Sequence, residues 1–207
     1  MRILLVEPDF PKPSKSKNHH DFLPIGQISK KRIPHQILIT SYFTYWSKYV
    51  KETVSYYRNI YPEAKIIVGG IYASLMPDHC KEYTGCDEIY IGVHQEAEKC
   101  KPAYHYLEKH YGFKDYQILH TSRGCIRKCG FCGVYKIEPE FTFKKSIKNE
   151  IVSRKLIFYD NNLLANPNIE EILRELVSLK EKQQILWCDA QSGIDGRILL
   201  KKPHLAL

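Results

Sequence analysis

The sequence predicts an α/β chain in which parallel strands alternate with helices. Three observations carry that expectation. Short apolar, β-branched runs recur at residues 2–6, 36–40, 65–68, 88–91, 155–159 and 184–188. Between several of them, apolar residues fall at three- and four-residue spacing, the period of an amphipathic helix. Pro, Gly or Asp-Asn pairs follow most of the runs and stop them. Strands joined through helices of this length run parallel, because a helical crossover returns the chain to the same end of the sheet.

Residues 2–6 (RILLV) end at Glu7-Pro8 and read as a buried strand. Residues 12–20 read as a polar loop with His19 and His20 exposed. Residues 36–40 (QILIT) are the second strand, and Tyr45, Tyr49, Val50, Val54, Tyr57 and Ile60 then share one face of a helix over 45–60. A third strand at 65–68 is stopped by Gly69-Gly70, whose missing Cβ suits either a tight turn or close approach of backbone to a ligand. A short helix is expected over 73–83, broken near Pro77, before a fourth strand at 88–91 that Gly92 stops. Residues 93–114 are polar, with Pro102 and Gly112, and read as a connector.

The second half opens with a strand at 116–120, followed by a helix over 141–151 and a strand at 155–159 ending in Asp160-Asn161-Asn162. Ile169, Ile172, Leu173, Leu176 and Leu179 lie on one face of a helix over 168–181, with Glu170 and Glu171 in its first turn and Lys180 in its last, as the macrodipole favours. A strand at 184–188 ends in Asp189-Ala190-Gln191-Ser192. Ligands of parallel sheets sit beyond the carboxyl ends of the strands, so the residues after each strand are the first to consider.

With 207 residues, 43% of them hydrophobic and 26% charged, the composition is that of a globular chain of one or two domains and excludes collagen-like and disordered classes. No apolar run approaches the ~18 residues of a membrane helix. The apolar burst in MRILLVEPDF is too short for a signal peptide, so a cytoplasmic location is expected. Seven cysteines are an odd count without the spread of a disulfide framework; in a reducing compartment they are thiols or metal ligands. The net charge is +8, and Lys and Arg crowd residues 123–155 against Glu138, Glu140 and Glu150. Such a stretch is either a solvated face or an attractor of nucleic acid or anionic substrate.

The cysteines that carry chemistry are Cys125, Cys129 and Cys132, spaced C-x3-C-x2-C in TSRGCIRKCGFCG. At this cysteine frequency a chance triple at one fixed spacing arises in roughly one such chain in a hundred, so the spacing needs a reason. Three thiolates on one short loop can clasp a soft metal centre. Gly124, Gly130 and Gly133 let the backbone wrap tightly, and Arg123, Arg127 and Lys128 offset thiolate charge. Structural zinc is closed by four ligands, and His120 would complete a Cys3His site. Iron–sulfur cubanes are normally held by four cysteines, so three would leave one iron open.

The spacing, together with Phe131 just before the third cysteine, resembles the radical S-adenosylmethionine (radical SAM) superfamily. The resemblance implies that Cys125, Cys129 and Cys132 hold a [4Fe-4S] cluster whose open iron chelates the amino and carboxylate groups of SAM. Reductive cleavage of SAM then yields a 5′-deoxyadenosyl radical that abstracts hydrogen from a substrate. It places Phe131 beside the adenine and makes Asp160, Asn161 and Asn162 candidates for contact with the SAM amino group, where many members carry Gly-Gly-Glu. Gln191 and Ser192 are weaker candidates for the same pocket. It also implies an electron donor such as flavodoxin or ferredoxin.

The first half resembles the cobalamin-binding-type, Rossmann-like domain that precedes many radical SAM barrels, through its opening strand followed by Pro and its Gly69-Gly70 pair. The ligand motif Asp-x-His-x-x-Gly is absent, so cobalamin is not expected. The expected fold is therefore a Rossmann-like parallel sheet followed by the first half of a partial (β/α)6 TIM-like barrel. Domains are expected at 1–100 and 115–207, with a connector at 101–114. A six-unit barrel takes about 190 residues, so residues 115–207 correspond to about three units and the chain reads as truncated. The alternatives are a zinc-stabilised basic module that binds nucleic acid, and a non-catalytic remnant of a radical SAM enzyme.

Overall fold

The computed structural model describes residues 1–11, 33–98, 100, 104, 116–192 and 194–206. It is a mixed α/β structure with parallel sheets, and the chain divides into two compact units, Met1–Phe113 and Lys114–Leu207. The polar loop expected at 12–20, with His19 and His20, lies outside the described residues, as does the connector at 101–114 apart from Tyr104.

In the first unit β1 (Ile3–Val6), β2 (Gln36–Ser41), β3 (Lys65–Gly70) and β4 (Glu88–Ile89) form one sheet in the order β1-β2-β3-β4, all pairs parallel. The helix α1 (Ser47–Ile60) joins β2 to β3; α2 (Ile71–Leu75) and α3 (Pro77–Thr84) join β3 to β4; a single turn, α4 (Gln95–Glu98), follows. The periodic face of α1 does what its spacing predicts: Val50, Val54 and Tyr57 are buried in one core with Ile37, Ile39, Ile66 and Val68. Pro77 starts α3, where its missing N–H costs no helical bond, and Gly85 ends it at φ 72°. The strands alternate rather than burying both faces, with Leu4, Ile37 and Ile66 buried and Leu5, Leu38 and Ile67 partly exposed.

Gly69 and Gly70 are the last residues of β3, not a turn beyond it. Gly70 has φ 99°, and a Cβ there would run into the Ser41 backbone. The Ser41 hydroxyl donates to the Gly69 carbonyl at 2.7 Å and accepts from the Ala73 N–H at 3.1 Å. The close approach at Gly70 is thus to the chain's own backbone.

The second unit comprises β5 (Gln117–Leu119), β6 (Ser122–Arg123), α5 (Val134–Ile137), β7 (Thr142–Phe143), β8 (Lys155–Phe158), α6 (Ile169–Glu181), β9 (Trp187–Ala190) and α7 (Gly196–Lys201). β5, β8 and β9 form a parallel sheet in that order, and β6 pairs antiparallel with β7. Leu119, Leu156 and Phe158 from the sheet share a core with Ile169, Ile172, Leu176 and Leu179 of α6. Among the described residues no helix is long and apolar enough to cross a membrane.

Two expectations are corrected here. Residues 141–151 are not a helix. Thr142–Phe143 pairs with β6, the Lys144 N–H donates to the Thr121 carbonyl at 2.8 Å, and a single 3-10 turn occupies Lys148–Glu150. Phe-Thr-Phe favours a pleated partner, and β6 supplies one. The last strand begins at Trp187, not Gln184. Gln183 takes φ 55°, and the Gln184 N–H bonds back to the Leu179 carbonyl at 2.9 Å, so these residues end α6. Asp189 and Ala190 consequently lie inside the strand.

Candidate functional site

The cysteine loop leaves the sheet at the carboxyl end of β5, and its base is tied to the end of β8 by a buried carboxylate. Asp160 is 1% exposed. It accepts from the N–H and hydroxyl of Thr121, at 3.0 and 2.7 Å, and from those of Ser122, at 2.6 and 2.7 Å. Asn166, also buried, donates to the carbonyls of Thr121 and Lys144 at 3.0 and 3.1 Å. Asp160 therefore anchors the base of the loop, mainly through Oδ1.

Two residues after Ser122, Gly124 has φ 71°, and a Cβ there would run into the Glu140 carbonyl oxygen. Its N–H donates to Glu138 Oε2 at 2.6 Å. The same carboxylate accepts from Asn161 Nδ2 at 2.9 Å and from Arg123 Nη1 at 3.4 Å. Glu138 thus closes the loop that carries the cysteines and occupies the amide of Asn161. His120 lies 3.2 Å from Arg123 Nη1 through Nε2. A guanidinium only donates, so that nitrogen is the acceptor.

Cys125, Cys129 and Cys132 are all free and partly exposed. The Cys132 N–H donates to the Cys129 carbonyl at 3.0 Å, and the Arg127 N–H points at Cys125 Sγ at 3.4 Å. Among the described residues no three His, Cys, Asp or Glu side chains are gathered closely enough to hold a metal ion. The donor set itself suits a soft metal: three thiols on one short loop, with backbone N–H and guanidinium groups beside them. Phe131 is 95% exposed, and the structure brings no side chain of the Asn161-Asn162 pair against it.

Asn162 is the member of the triplet that reaches the cysteines. It is 5% exposed, and its Nδ2 lies 3.9 Å from Cys125 Sγ and 3.3 Å from Asp195 Oδ2. Its Oδ1 is buried with no hydrogen-bond partner among the described residues. An orphaned buried acceptor costs about 1–3 kcal/mol, so this oxygen has room to accept from a bound group. Together with the three thiols, that vacant acceptor fits a metal centre carrying a ligand with an N–H group.

Asp195, whose side chain is 8% exposed, organises this corner. Its Oδ2 accepts from Arg127 Nε at 3.2 Å, Asn162 Nδ2 at 3.3 Å and Arg197 Nη2 at 3.2 Å. Its Oδ1 accepts from Arg197 Nε at 2.8 Å and the Arg197 N–H at 3.1 Å, which caps α7. The Arg197 side chain holds this carboxyl well below the usual range, helped by the Arg197 N–H and Arg127 against the opposing effect of burial. The Cys129 side chain also acts on Arg197 and raises its guanidinium's pKa, after the larger effect of Asp195. Neither Asp195, Arg197 nor Glu138 was singled out by sequence. Asp195 before a short apolar run is an N-cap signal, but nothing in that signal points to a loop 68 positions away. Gln191, a weaker candidate, donates to Asp189 Oδ2 at 2.5 Å.

No family model matches the chain, and no curated protein matches it. Among solved structures, the radical S-adenosylmethionine methyltransferase TsrM from Kitasatospora setae shares the fold. The form with tryptophan substrate and the SAM analogue aza-SAM has a TM-score of 0.57 at 14% identity, covering 73% of this chain and 42% of that one. The form with cobalamin and a [4Fe-4S] cluster has a TM-score of 0.54 at 14% identity, covering 73% and 43%. This chain therefore spans under half the length of those structures, and the likeness is one of fold.

Proposed function

We propose that this chain is a radical SAM iron–sulfur protein in which Cys125, Cys129 and Cys132 hold a [4Fe-4S] cluster and Asn162 receives the amino group of SAM. The observation that carries the reading is buried Asn162, whose Nδ2 lies 3.9 Å from Cys125 Sγ and whose Oδ1 has no hydrogen-bond partner among the described residues. The C-x3-C-x2-C spacing and the shared fold with a radical SAM methyltransferase support it. Held by Cys125, Cys129 and Cys132, the cluster would supply the electron for reductive cleavage of SAM, the chemistry that starts a hydrogen abstraction.

The chain's own residues do the holding. Gly124 and Glu138 set the path of the loop, and Asp160 anchors its base to β8. The Arg127 backbone N–H faces Cys125 Sγ, and the Arg197 guanidinium would offset thiolate charge at Cys129. The three thiols close on the metal as it binds, since metal binding and site ordering are one coupled step. Phe131 supplies an exposed apolar plate for the adenine, and a net charge of +8 suits an acidic electron donor such as flavodoxin or ferredoxin. Cobalamin has no part in the proposal, because the chain lacks the Asp-x-His-x-x-Gly string.

Anaerobic reconstitution with iron and sulfide tests the reading. The expected result is about four irons and four sulfides per chain, lost when Cys125, Cys129 and Cys132 are all replaced by Ala. Stoichiometric zinc without sulfide, or iron retained by the triple variant, would overturn it. Salt-dependent RNA binding in the zinc form would point instead to a nucleic-acid module.

A further inference from the structure

The register of the second unit's parallel sheet sorts its side chains onto two faces. β8 and β9 pair Leu156 with Cys188, Ile157 with Asp189 and Phe158 with Ala190. Leu156 and Phe158 are buried against α6, and Ala190 packs on the same core. Successive residues of a strand point to opposite faces, so Ile157, Tyr159, Asp189 and Gln191 belong to the face turned away from α6. Ile157 is 1% exposed yet stands outside the α6 core, as that placement requires. β5, β8 and β9 run parallel, so this face ends on the side where the cysteine loop leaves β5.

Asp189 is the carboxylate of that face. Its Oδ2 accepts from Gln191 Nε2 at 2.5 Å. The Tyr159 phenol is pushed up by burial first, then by Tyr116 and by Asp189, so phenol and carboxylate stand within electrostatic reach of each other. Among the described residues no Lys, Arg or His pairs with Asp189, whereas Asp87, Glu138 and Asp195 each hold an arginine. Tyr159, Asp189 and Gln191 are all partly exposed. A carboxylate set among phenols without a counter-cation, in a chain of net charge +8, is a place that a cation complements.

We infer that Asp189, tethered by Gln191 and flanked by Tyr159, binds a positively charged nitrogen of the substrate, an ammonium or guanidinium group. The carboxylate supplies charge-assisted hydrogen bonds, and the phenol ring offers an electron-rich face to the cation. Gln191 bonds Asp189 through its NH2 group, which leaves its carbonyl oxygen as a further acceptor. Calling the ligand a substrate rests on the radical SAM reading; the binding of a cation at Asp189 does not.

Benzylamine, an ammonium on a planar ring, and benzyl alcohol, its neutral counterpart, are the probes. Titrated by calorimetry into the full chain as isolated, benzylamine should bind about tenfold tighter or more, the worth of a hydrogen bond to a charged group. It should also shift the Tyr159 ring signals in a 13C–1H spectrum. Asp189→Asn keeps the size of the side chain and an acceptor for Gln191 but removes the charge, and should bind the two probes alike. Gln191→Leu keeps the carboxylate and removes its tether, so the preference should fall several-fold without vanishing; this variant decides the question if Asp189→Asn does not fold. Equal binding of the two probes by wild type, or a preference untouched in either variant, overturns the inference. In the reconstituted protein saturated with SAM the preference should persist, and its loss there would give Asp189 to SAM and overturn the substrate assignment. A chain that assembles no cluster yet binds benzylamine through Asp189 refutes the radical SAM reading and leaves the cation site standing.

Discussion

Asp160 and Gly124 show how single residues build the base of the cysteine loop. Replacing Asp160 by Ala strands the N–H and hydroxyl groups of both Thr121 and Ser122 in a buried place. Each stranded group costs about 1–3 kcal/mol, and partial relaxation leaves an expected loss of about 3–5 kcal/mol in urea unfolding of the second unit. Gly124→Ala combines a left-handed φ with a clash against the Glu140 carbonyl. About 2 kcal/mol or more of destabilisation is expected, with less iron taken up on reconstitution because the loop must leave its path. The remaining cysteines divide by burial: Cys80 and Cys86 are buried, Cys100 and Cys188 exposed. Burial pushes the Cys80 thiol up to about 12, so at pH 8 it stays protonated. Mass spectrometry after iodoacetamide treatment should find Cys80 unmodified in the native protein and modified once urea unfolds it.

At the scale of elements, each unit is held by helix faces packed against a parallel sheet: α1, α2 and α3 in the first, α6 in the second. Ile172 of α6 is fully buried between Leu156, Phe158 and the helix's own apolar neighbours. Ile172→Ala should cost about 2–5 kcal/mol by calorimetry or urea unfolding, the range for a large core side chain cut to a methyl. In the first unit Asp87 links three elements: its Oδ2 accepts from Arg58 Nη2 of α1 at 2.7 Å and from the Ile66 N–H of β3 at 2.6 Å, just before β4. Burial pushes this carboxyl up, but the Arg58 hydrogen bond, the Ile66 N–H and the charges of Arg58 and Lys65 outweigh it and bring it below its ordinary value. A carboxyl lowered on folding adds stability that is complete above its ordinary value and is lost as pH falls through the folded one. The midpoint of thermal unfolding should therefore drop between about pH 5 and pH 3, and drop less in Asp87→Asn.

For the whole molecule, two compact units with separate cores should unfold as two transitions in scanning calorimetry, and Ile172→Ala should move only the one that belongs to residues 114–207. A single transition shifted as a whole by that variant would refute separate cores. Much of this organisation was legible in the residues. The apolar runs at 2–6, 36–40, 65–68 and 155–159 are strands, and the helical faces at 45–60 and 168–181 are buried as their spacing predicts. Such patterns are readable because burial of one face imposes its period on the nearby chain. Residues 141–151 misled for a related reason: Ile147 and Ile151 at helical spacing are satisfied here by loop packing, while β6, some twenty positions earlier, supplies the backbone partners. Ile185 and Leu186 look like strand, yet the Gln184 and Ile185 N–H groups still bond back to Leu179 of α6, and the chain turns to the sheet only at Leu186, whose N–H donates to the Arg154 carbonyl.

The sequence by itself determined the parallel α/β architecture and picked out three cysteines whose spacing calls for a soft metal centre. Both are local properties, a period and a spacing, and both survive without knowledge of the chain's path. Only the tertiary structure decided which polar residues stand with those cysteines. It withdrew Asp160 into an anchor, gave Asn161 to Glu138, left Asn162 with a vacant buried oxygen and brought Asp195 to it from 33 positions away. A hydrogen bond between distant residues depends on where the folded chain returns, and no local pattern records that.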